Sequence, residues 1–581
     1  MSTFGSFNTV RLGIYASQKG LDVTGNNITN INTNGYTRQR LEQTSLVTTA
    51  SDRYYSRYKT RVGQGVLTTG VTQLRDPGLD ISFRKAQADL GSADGKLAGL
   101  EDLARILDEV GKGDGEQDDG VILNQMNDLR DLISGAITNG IAEYDPLIRE
   151  SATSLTALFR DYASQLEQMV DKYETRLSDQ VDTVNDILSG IQKLNISIRN
   201  ADIRGDEALE LRDQRNLLLD ELSQYVKIDV KYSMEDVGAG LEVEKLTVSL
   251  ATGDKNTLVE GEFATQLSLF TPTPNPDYPN PDTSNPYLDG DKNPTASWDT
   301  AVTQAKNEGN YNTQYGIVLR PMADTDGNPP KAGEVSANAP TNIGGVALDD
   351  TDLYGALQST REMLTEKGEY STTNEVTTIL GGDPDAAIKR GIPYYQYALT
   401  DLARTFANAM NKINQDNGGG PLFSISSNSD VTDNITAANI SVSQSWAEGK
   451  TQIIAAAKDA PSGDTSVLAE FLNLFNREDI DFLPTGVVNG AVGSKYTGSF
   501  EDMLLRIQST LAEDQKTTTS LLTNYTVTQN EIYTDRDSVM GVDLNDEATS
   551  LMTYQKAYTA ACRLMTVLEQ ALDSLINGTI V

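Results

Sequence analysis

Both ends of the chain carry a narrow apolar stripe that advances in steps of three and four residues, the spacing of a heptad helix. The N-terminal stripe has eight positions, of which six are apolar: Phe7, Val10, Ile14, Leu21, Ile28 and Ile31. The C-terminal stripe is apolar throughout: Leu551, Tyr554, Tyr558, Ala561, Met565, Leu568, Leu572 and Leu575. Each would span about 37 Å of helix at about 1.5 Å per residue. Because a narrow stripe buries area only against another helix, we predict that the two terminal helices pair as a coiled coil. The alternative is that each helix packs on a separate domain.

Further helical periodicity fills two interior ranges, 100–225 and 394–540, which could form one bundle of long helices. The predicted helices are 97–110, 121–137, 148–198, 208–222, 394–413 and 500–538. Between the two ranges, the pattern changes to the alternation of strands, as in "VKIDVKYS" and "LEVEKLTVSL". The proline-rich run "TPTPNPDYPNPDTSNP" that follows is typical of a loop.

These patterns predict a mainly α protein with an inserted β-rich domain. Residues 1–50 with 541–581 would form the terminal coiled coil. Residues 51–225 with 391–540 would form the helical bundle, with small β elements, and residues 226–390 would form an outer β-rich domain.

The formal net charge of −36 argues against nucleic-acid and anionic-membrane partners, because like charges repel. One basic stretch, "RYYSRYKTR" at 53–61, interleaves tyrosine with arginine as a nucleic-acid patch might. A polar strand or hairpin that meets an acidic surface on a neighbouring molecule is the favoured interpretation.

Residue inventory argues against an enzyme. The chain has no histidine, and Cys562 is its only cysteine, so imidazole catalysis, intrachain disulfides and CxxC sites are excluded. The acidic run around Asp324 and Asp326 places the wrong residues at the first and last calcium positions. "SFRK" at 82–85 fits an SxxK nucleophile pattern but lacks companion motifs. We therefore expect no catalytic residue, no cofactor and no metal.

The first residues lack the basic start and continuous apolar core of a secretory signal, and no apolar run approaches a membrane span. We expect a chain that does not use the general secretion route, which leaves other export routes open.

The segment "GLDVTGNNITNINTNGYTRQR" resembles the N-terminal signature of the axial proteins of the bacterial flagellum, which form its rod, hook and hook-associated parts. The residues that match are Asn26, Asn27, Ile28, Asn30, Asn32, Thr33, Gly35 and Tyr36. "GVDLNDEATSLMTYQKAY" is similar to the family's closing segment. Its matching residues are Gly541, Val542, Leu544, Glu547, Tyr554, Gln555, Ala557 and Tyr558.

Three segments favour the hook-associated branch of this family, which joins hook and filament. They are "GYTRQR", "ELRDQRNLLLDELSQYV", and "ALTDLARTFANAMNKIN" followed by "NGGGPLF". The third departs from the family pattern, since Gln415 and Asp416 stand where a histidine is common. The range 226–390 carries no resemblance.

The resemblance implies an extracellular structural adaptor of the flagellum rather than an enzyme. Its partners would be copies of itself, hook protein, a second junction protein on the filament side, the type III export apparatus, and an export chaperone on the C-terminal helix. It would be exported without a cleaved signal peptide. The alternatives are a hook or distal-rod protein, or a secreted adhesin or enzyme whose insert is active.

The asparagine-rich segment at the end of the first helix contains what we call the signature turn. Its residues are Asn26, Asn27, Asn30, Asn32, Thr33, Gly35 and Tyr36. We expect their amides to bond backbone groups freed at the helix end, or a neighbouring subunit. Asn34 and Gly35 should supply the positive φ angles of a tight turn. The segment would be a hinge at a packed joint.

Overall fold

Long helices dominate the computed structural model, in which residues 3–46, 63–107, 120–238, 240–270, 315–322, 346–348, 350, 352–371, 389–458, 460–461, 463–482 and 496–577 are described. The helices in chain order are α1 (Thr3–Thr29), α2 (Pro77–Leu107), α3 (Val121–Asn139), α4 (Ile141–Ile203), α5 (Leu209–Tyr225), α6 (Ala356–Thr365), α7 (Ile392–Asp416), α8 (Gln444–Ala447), α9 (Ser466–Phe475), α10 (Phe500–Met540) and α11 (Leu544–Asn577).

The strands form one larger sheet and three small antiparallel pairs. The pairs are β1 (Gln39–Ser45) with β2 (Val66–Gln73), β9 (Phe423–Ser424) with β10 (Ser441–Val442), and β11 (Ile480–Phe482) with β12 (Tyr496–Gly498). The sheet runs in sequence order through β3 (Ile228–Asp236), β4 (Glu242–Leu250), β5 (Thr257–Glu260), β6 (Phe263–Phe270), β7 (Gly316–Pro321) and β8 (Val346–Leu348). Every neighbouring pair in it is antiparallel.

The helical body is built on α4, whose 63 residues would extend about 95 Å at about 1.5 Å per residue. Its buried side chains recur at helical spacing and face α3, α5, α7 and the sheet. α10 lies antiparallel along α2, because Gln515 bonds to Leu100 while Gln529 bonds to Gln87. One continuous apolar core joins these helices to the inner face of the sheet.

Polar side chains of α4 fix the sheet against the helix. The Asn185 amide donates to the Leu267 carbonyl at 2.9 Å and accepts from the Leu267 N–H at 2.7 Å, as a neighbouring strand would. Nearly three helical turns farther on, Asn195 donates to the Gly261 carbonyl at 2.8 Å. The sheet is therefore held by hydrogen bonds from side chains of α4 to its backbone as well as by apolar packing.

The mainly α architecture with an inserted β region is confirmed. Three elements differ clearly from the predictions, the first being α4, which begins at Ile141 rather than at residue 148. α2 begins at Pro77 rather than at residue 97, and α6 is a helix within the range predicted to be β-rich. The basic stretch 53–61, the proline-rich run and the Asp324–Asp326 cluster lie outside the described residues. Among the described helices, none is long and apolar enough to cross a membrane.

Candidate assembly site at the paired chain ends

The two terminal helices, α1 and α11, lie antiparallel and in contact along their length. Small residues of α1 form the closest part of this seam: Ser17, Gly20 and Thr24 are buried. A Cβ atom added to Gly20 would lie 2.5 Å from the Tyr554 ring, so this ring packs directly on the backbone of α1 there. The seam is thus centred on small side chains, with the larger apolar ones beside it.

The predicted stripe positions are distributed over this seam and its margins. On α1, Val10 is buried, and Phe7, Ile14, Leu21 and Ile28 are half-buried. Ile31 lies beyond the end of α1 at Thr29 and is exposed. On α11, Tyr554, Ala561, Met565, Leu568 and Leu572 are half-buried, whereas Leu551, Tyr558 and Leu575 are exposed.

α11 keeps large apolar side chains in solvent outside the face that contacts α1. Val567 is 57% exposed and Leu564 is 51% exposed, although both lie mid-helix. The exposed set on this helix is Leu544, Leu551, Met552, Tyr558, Leu564, Val567, Leu575 and Ile576. Exposed apolar side chains in such number indicate further packing partners, so α1 alone does not complete the packing of α11.

Asn27 joins the two terminal segments where α1 ends and α11 begins. Its amide nitrogen donates to the Gln39 carbonyl at 2.9 Å and to Glu547 Oε2 at 3.1 Å. Its amide oxygen accepts from the Gln39 N–H at 3.0 Å and from the Tyr36 hydroxyl at 2.8 Å. All of its bonding capacity is used, and its side chain is buried.

Among the described residues of α11, Glu547 alone is buried. It is the residue through which the C-terminal helix joins this cluster. Its second oxygen accepts from Arg38 Nε at 2.7 Å, and the Arg38 backbone N–H donates to the Met540 carbonyl at 2.9 Å. A buried carboxylate needs such a partner, because unpaired burial of a charge is costly. The signature turn and the closing segment therefore meet in one bonded cluster.

The remaining signature asparagines divide into bonded and exposed groups. Asn30 donates to the Asn26 side chain and accepts from Thr33 at 3.1 Å, which closes the end of α1. Asn32 and Asn34 are exposed. Of the Asn34–Gly35 pair, only Gly35 has a positive φ, at 77°.

Behind the turn, hydrogen bonds from Thr37 and ion pairs of Arg536 anchor the signature turn to the helical body. The Thr37 hydroxyl and N–H both donate to Asp213, at 2.6 and 3.1 Å. Arg536 of α10 pairs with Asp80 at 2.8 Å and with Asp220 at 2.6 Å. Each of these charges is largely buried and matched, which is the arrangement of a rigid support.

Burial and nearby charge keep the Tyr36 hydroxyl protonated. Burial, followed by the carboxylates of Asp213 and Glu210, raises the pKa of Tyr36 far above its usual range. Burial also raises the pKa of Asp213, against the opposing effect of its bonds from Thr37. The Tyr36 hydroxyl therefore remains the hydrogen-bond donor that Asn27 requires.

A groove of about 1050 Å³ opens beside the signature turn, between α5, α10 and the start of α11. We call it the joint groove. Leu217, Tyr533 and Met540 supply apolar surface to it. Carboxylates also line it, namely Asp220, Glu221, Asp537, Asp543 and Asp546.

The sequence patterns did not single out Arg38, Gln39, Asp213 or Arg536. The first two lie in "GYTRQR" and Asp213 lies in "ELRDQR", so all three sit within motifs that were recognised by resemblance. Nothing local marks Arg536, which is one charged residue in a long polar helix.

Comparison with known proteins extends the match beyond the signatures. Residues 146–309 match the family model described as flagellar hook-associated protein FlgK helical domain. Flagellar hook-associated protein 1 of Bacillus subtilis (strain 168) is 26% identical over 591 residues, which covers 99% of this chain and 98% of that protein. The protein of the same name from Escherichia coli (strain K12) is 24% identical, and the match covers 98% of this chain and 99% of that protein.

The chain is similar to flagellar hook-associated protein 1 over nearly its whole length. The resemblance predicted from its terminal signatures is confirmed, and the chain is a structural component of the flagellar hook–filament junction. A solved structure, that of the flagellar hook junction protein FlgK from Burkholderia pseudomallei, is similar with 19% sequence identity and a TM-score of 0.37. The match covers 59% of this chain and 46% of that protein's chain.

Proposed function

We propose that the α1–α11 pair is a coiled coil through which this subunit is built into the junction. In this proposal, residues 1–50 with 541–581 form the inner part of a ring of identical subunits. Hook protein would contact it on one side, and a second junction protein on the filament side. The observation that carries the proposal is the apolar surface that α11 leaves exposed away from its contact with α1.

The size of that surface supports a strong drive to associate. Burying one Val, Leu or Met side chain contributes about 1.5–3 kcal/mol. Eight large apolar side chains of α11 are at least a third exposed. Contact with neighbours on both flanks would bury most of them, whereas the single contact with α1 does not.

The bonded cluster around Asn27 and Glu547 would set the direction of the pair. It ties α11 to α1 and to β1, and the hydrogen bonds from Thr37 to Asp213 tie the residues just before β1 to the helical body. We propose that residues 51–225 with 391–540, and the insert 226–390, face outward from this joint. Load along the flagellum would then pass through the cluster.

We propose that the chain has no catalytic role. Its relatives are named as flagellar hook-associated proteins, with no activity in the name. The buried charges at the joint are matched by partners within the chain, as a support requires. Its chemistry is therefore packing and bonding to neighbours, without a cofactor or metal.

We propose that the chain is exported through the type III apparatus without a cleaved signal peptide, and that an export chaperone covers α11 beforehand. An exposed apolar helix invites premature association in the cell. Covering it until assembly would prevent this.

A deletion strain provides the test. It should retain hooks and secrete unpolymerised flagellin, and the native sequence should restore filaments. Filaments of normal length on the deletion strain would contradict the junction role. Loss of the hooks would instead indicate a hook or rod protein.

A further inference from the structure

We propose that the joint groove receives residues 53–61 from a second copy of this chain. The proposal rests on the assembly role above and names one contact within it. The segment connects β1 to β2 and lies outside the described residues.

The groove is suited to an aromatic and basic segment. Its apolar surface includes Leu217 and Tyr533, which are 37% and 54% exposed. Glu221, Asp537 and Asp543 line the groove without an ion pair to any described residue. A ligand with both rings and cations would cover the apolar surface and offset these carboxylates.

The segment has the matching chemistry. Residues 47–62 contain four basic residues and one acidic residue, whereas the whole chain has a formal charge of −36. Its aromatic and basic residues alternate closely: Arg53, Tyr54, Tyr55, Arg57, Tyr58, Lys59 and Arg61. No other stretch of the sequence is as basic, so the segment and the groove are complementary in charge.

The segment is too short to enter the groove of its own chain. Its flanking residues Leu46 and Gly65 bond to each other, and Gly65 lies against Thr9 of α1. The groove begins beyond Thr29, about 30 Å away along the helix at about 1.5 Å per residue. Sixteen residues going out and back reach at most about 28 Å, at about 3.3–3.6 Å per residue. A neighbouring subunit is therefore the source of the occupant.

The test measures binding of a fluorescent peptide with the sequence of residues 47–62 to the full-length protein, by fluorescence anisotropy. We expect saturable binding that weakens in high salt, because exposed charge pairs are screened. Changing Glu221→Lys with Asp537→Lys should weaken binding by about tenfold or more. The matched control, Glu513→Lys with Glu531→Lys on the same helix as Asp537, should change it by less than about twofold.

Three results would overturn the proposal: no binding, equal binding of a scrambled peptide, or an equal loss in both double variants. A fourth measurement separates the two sources of the segment. A chain with Arg53, Arg57 and Arg61 changed to Glu should bind the peptide as the native chain does. Markedly tighter binding would show that a chain fills its own groove. None of these results depends on the filament test, so the assembly role and this contact can fail separately.

Discussion

Asn27 is the residue whose neighbours explain most of the signature turn. Its side chain has two hydrogens and two lone pairs, and all four are engaged by Gln39, Tyr36 and Glu547. The sequence contains five asparagines within Gly25–Arg40, and nothing in it distinguishes the one that is buried from the others. Only the fold distinguishes the buried one, because its partner Glu547 lies 520 residues away.

Replacing Asn27→Asp should loosen the joint. The change removes both donors and places a carboxylate next to Glu547, at a buried position. We expect a loss of about 2–4 kcal/mol in local stability, because an unmatched buried charge is costly. Hydrogen exchange of β1 and of the first turns of α11 measures it directly.

Two variants control this prediction. Asn32→Asp makes the same chemical change at an exposed position of the same turn and should alter exchange by less than about 0.5 kcal/mol. Adding Glu547→Gln to Asn27→Asp restores a donor opposite the new acceptor and should recover part of the loss. Equal exchange in Asn27→Asp and the native chain would show that the cluster does not hold the ends.

Two buried aspartates illustrate how partners decide the role of a charge. Asp145 accepts from Trp446 Nε1 at 3.1 Å, from the Ile453 N–H at 3.0 Å and from Arg149 at 2.6 Å. Asp401 is equally buried, yet neither of its oxygens has a hydrogen-bond partner among the residues that the structure describes. Burial raises the pKa of Asp401 to about 7, with a small opposing effect from Arg404.

Asp401→Asn should therefore stabilise the protein at alkaline pH. The native state holds this proton up to about pH 7, whereas the unfolded chain releases it near pH 4, so the free energy of unfolding falls as pH rises between them. The slope is about 1.4 kcal/mol per pH unit at most. Calorimetry from pH 5 to pH 8 should show a smaller decline in Tm for the variant, with a residual slope from Glu366, whose pKa burial raises to about 8. Asp145→Asn should instead lower Tm throughout, and similar behaviour of the two variants would contradict the assignment.

At the scale of elements, α2 shows where sequence patterns fail. Gly91, Gly95 and Gly99 lie one turn apart on its buried face, and low helix propensity hid the first half of this helix from prediction. The glycines are there for close approach: a Cβ on Gly91 would lie 2.3 Å from the Gln224 carbonyl oxygen. By contrast, α3 and α7 have regular apolar spacing, and their predicted limits agree with the structure within two to three residues.

Gly91→Ala should destabilise the helical body, although alanine favours helix by about 1 kcal/mol. The added methyl group meets backbone, which cannot move aside as a side-chain end can, so we expect a net loss of about 1–3 kcal/mol. Urea unfolding followed by circular dichroism measures it. Asp94→Ala, at an exposed position of the same helix, should be neutral or slightly stabilising. A stabilised Gly91→Ala protein would mean that α2 and α5 can separate at low cost.

The seam between α1 and α11 was predictable in kind but not in detail. Heptad spacing indicated that both ends would seek another helix, and the structure brings them together. Yet the residues nearest α11 include Ser17, Gly20 and Thr24, because small side chains allow the Tyr554 ring to enter. A hydrophobic pattern records which positions are apolar and cannot record where a small residue is required.

At the scale of the whole molecule, the chain combines a well-packed body with an underpacked end. The body buries its apolar side chains in one core and anchors the joint by matched charges. α11 does neither beyond Glu547, since the rest of its described residues are half-buried or exposed. Such a contrast in one chain is expected when the remaining contacts come from other subunits.

The decisive test of that contrast changes Leu564→Asp and Val567→Asp together. Both side chains are more than half exposed, so the monomer should keep its fold and its α1–α11 pair. Neighbours that pack on this face would instead have to bury two carboxylates, and filament attachment should be lost. Because the proposed chaperone also uses α11, secretion of the variant is measured first, and only secreted protein is assayed for assembly on filament-less hooks. Gln570→Asp, an exposed change on the same helix, should leave both secretion and filaments intact. Normal filaments with the double variant would refute an assembly role for the exposed face of α11.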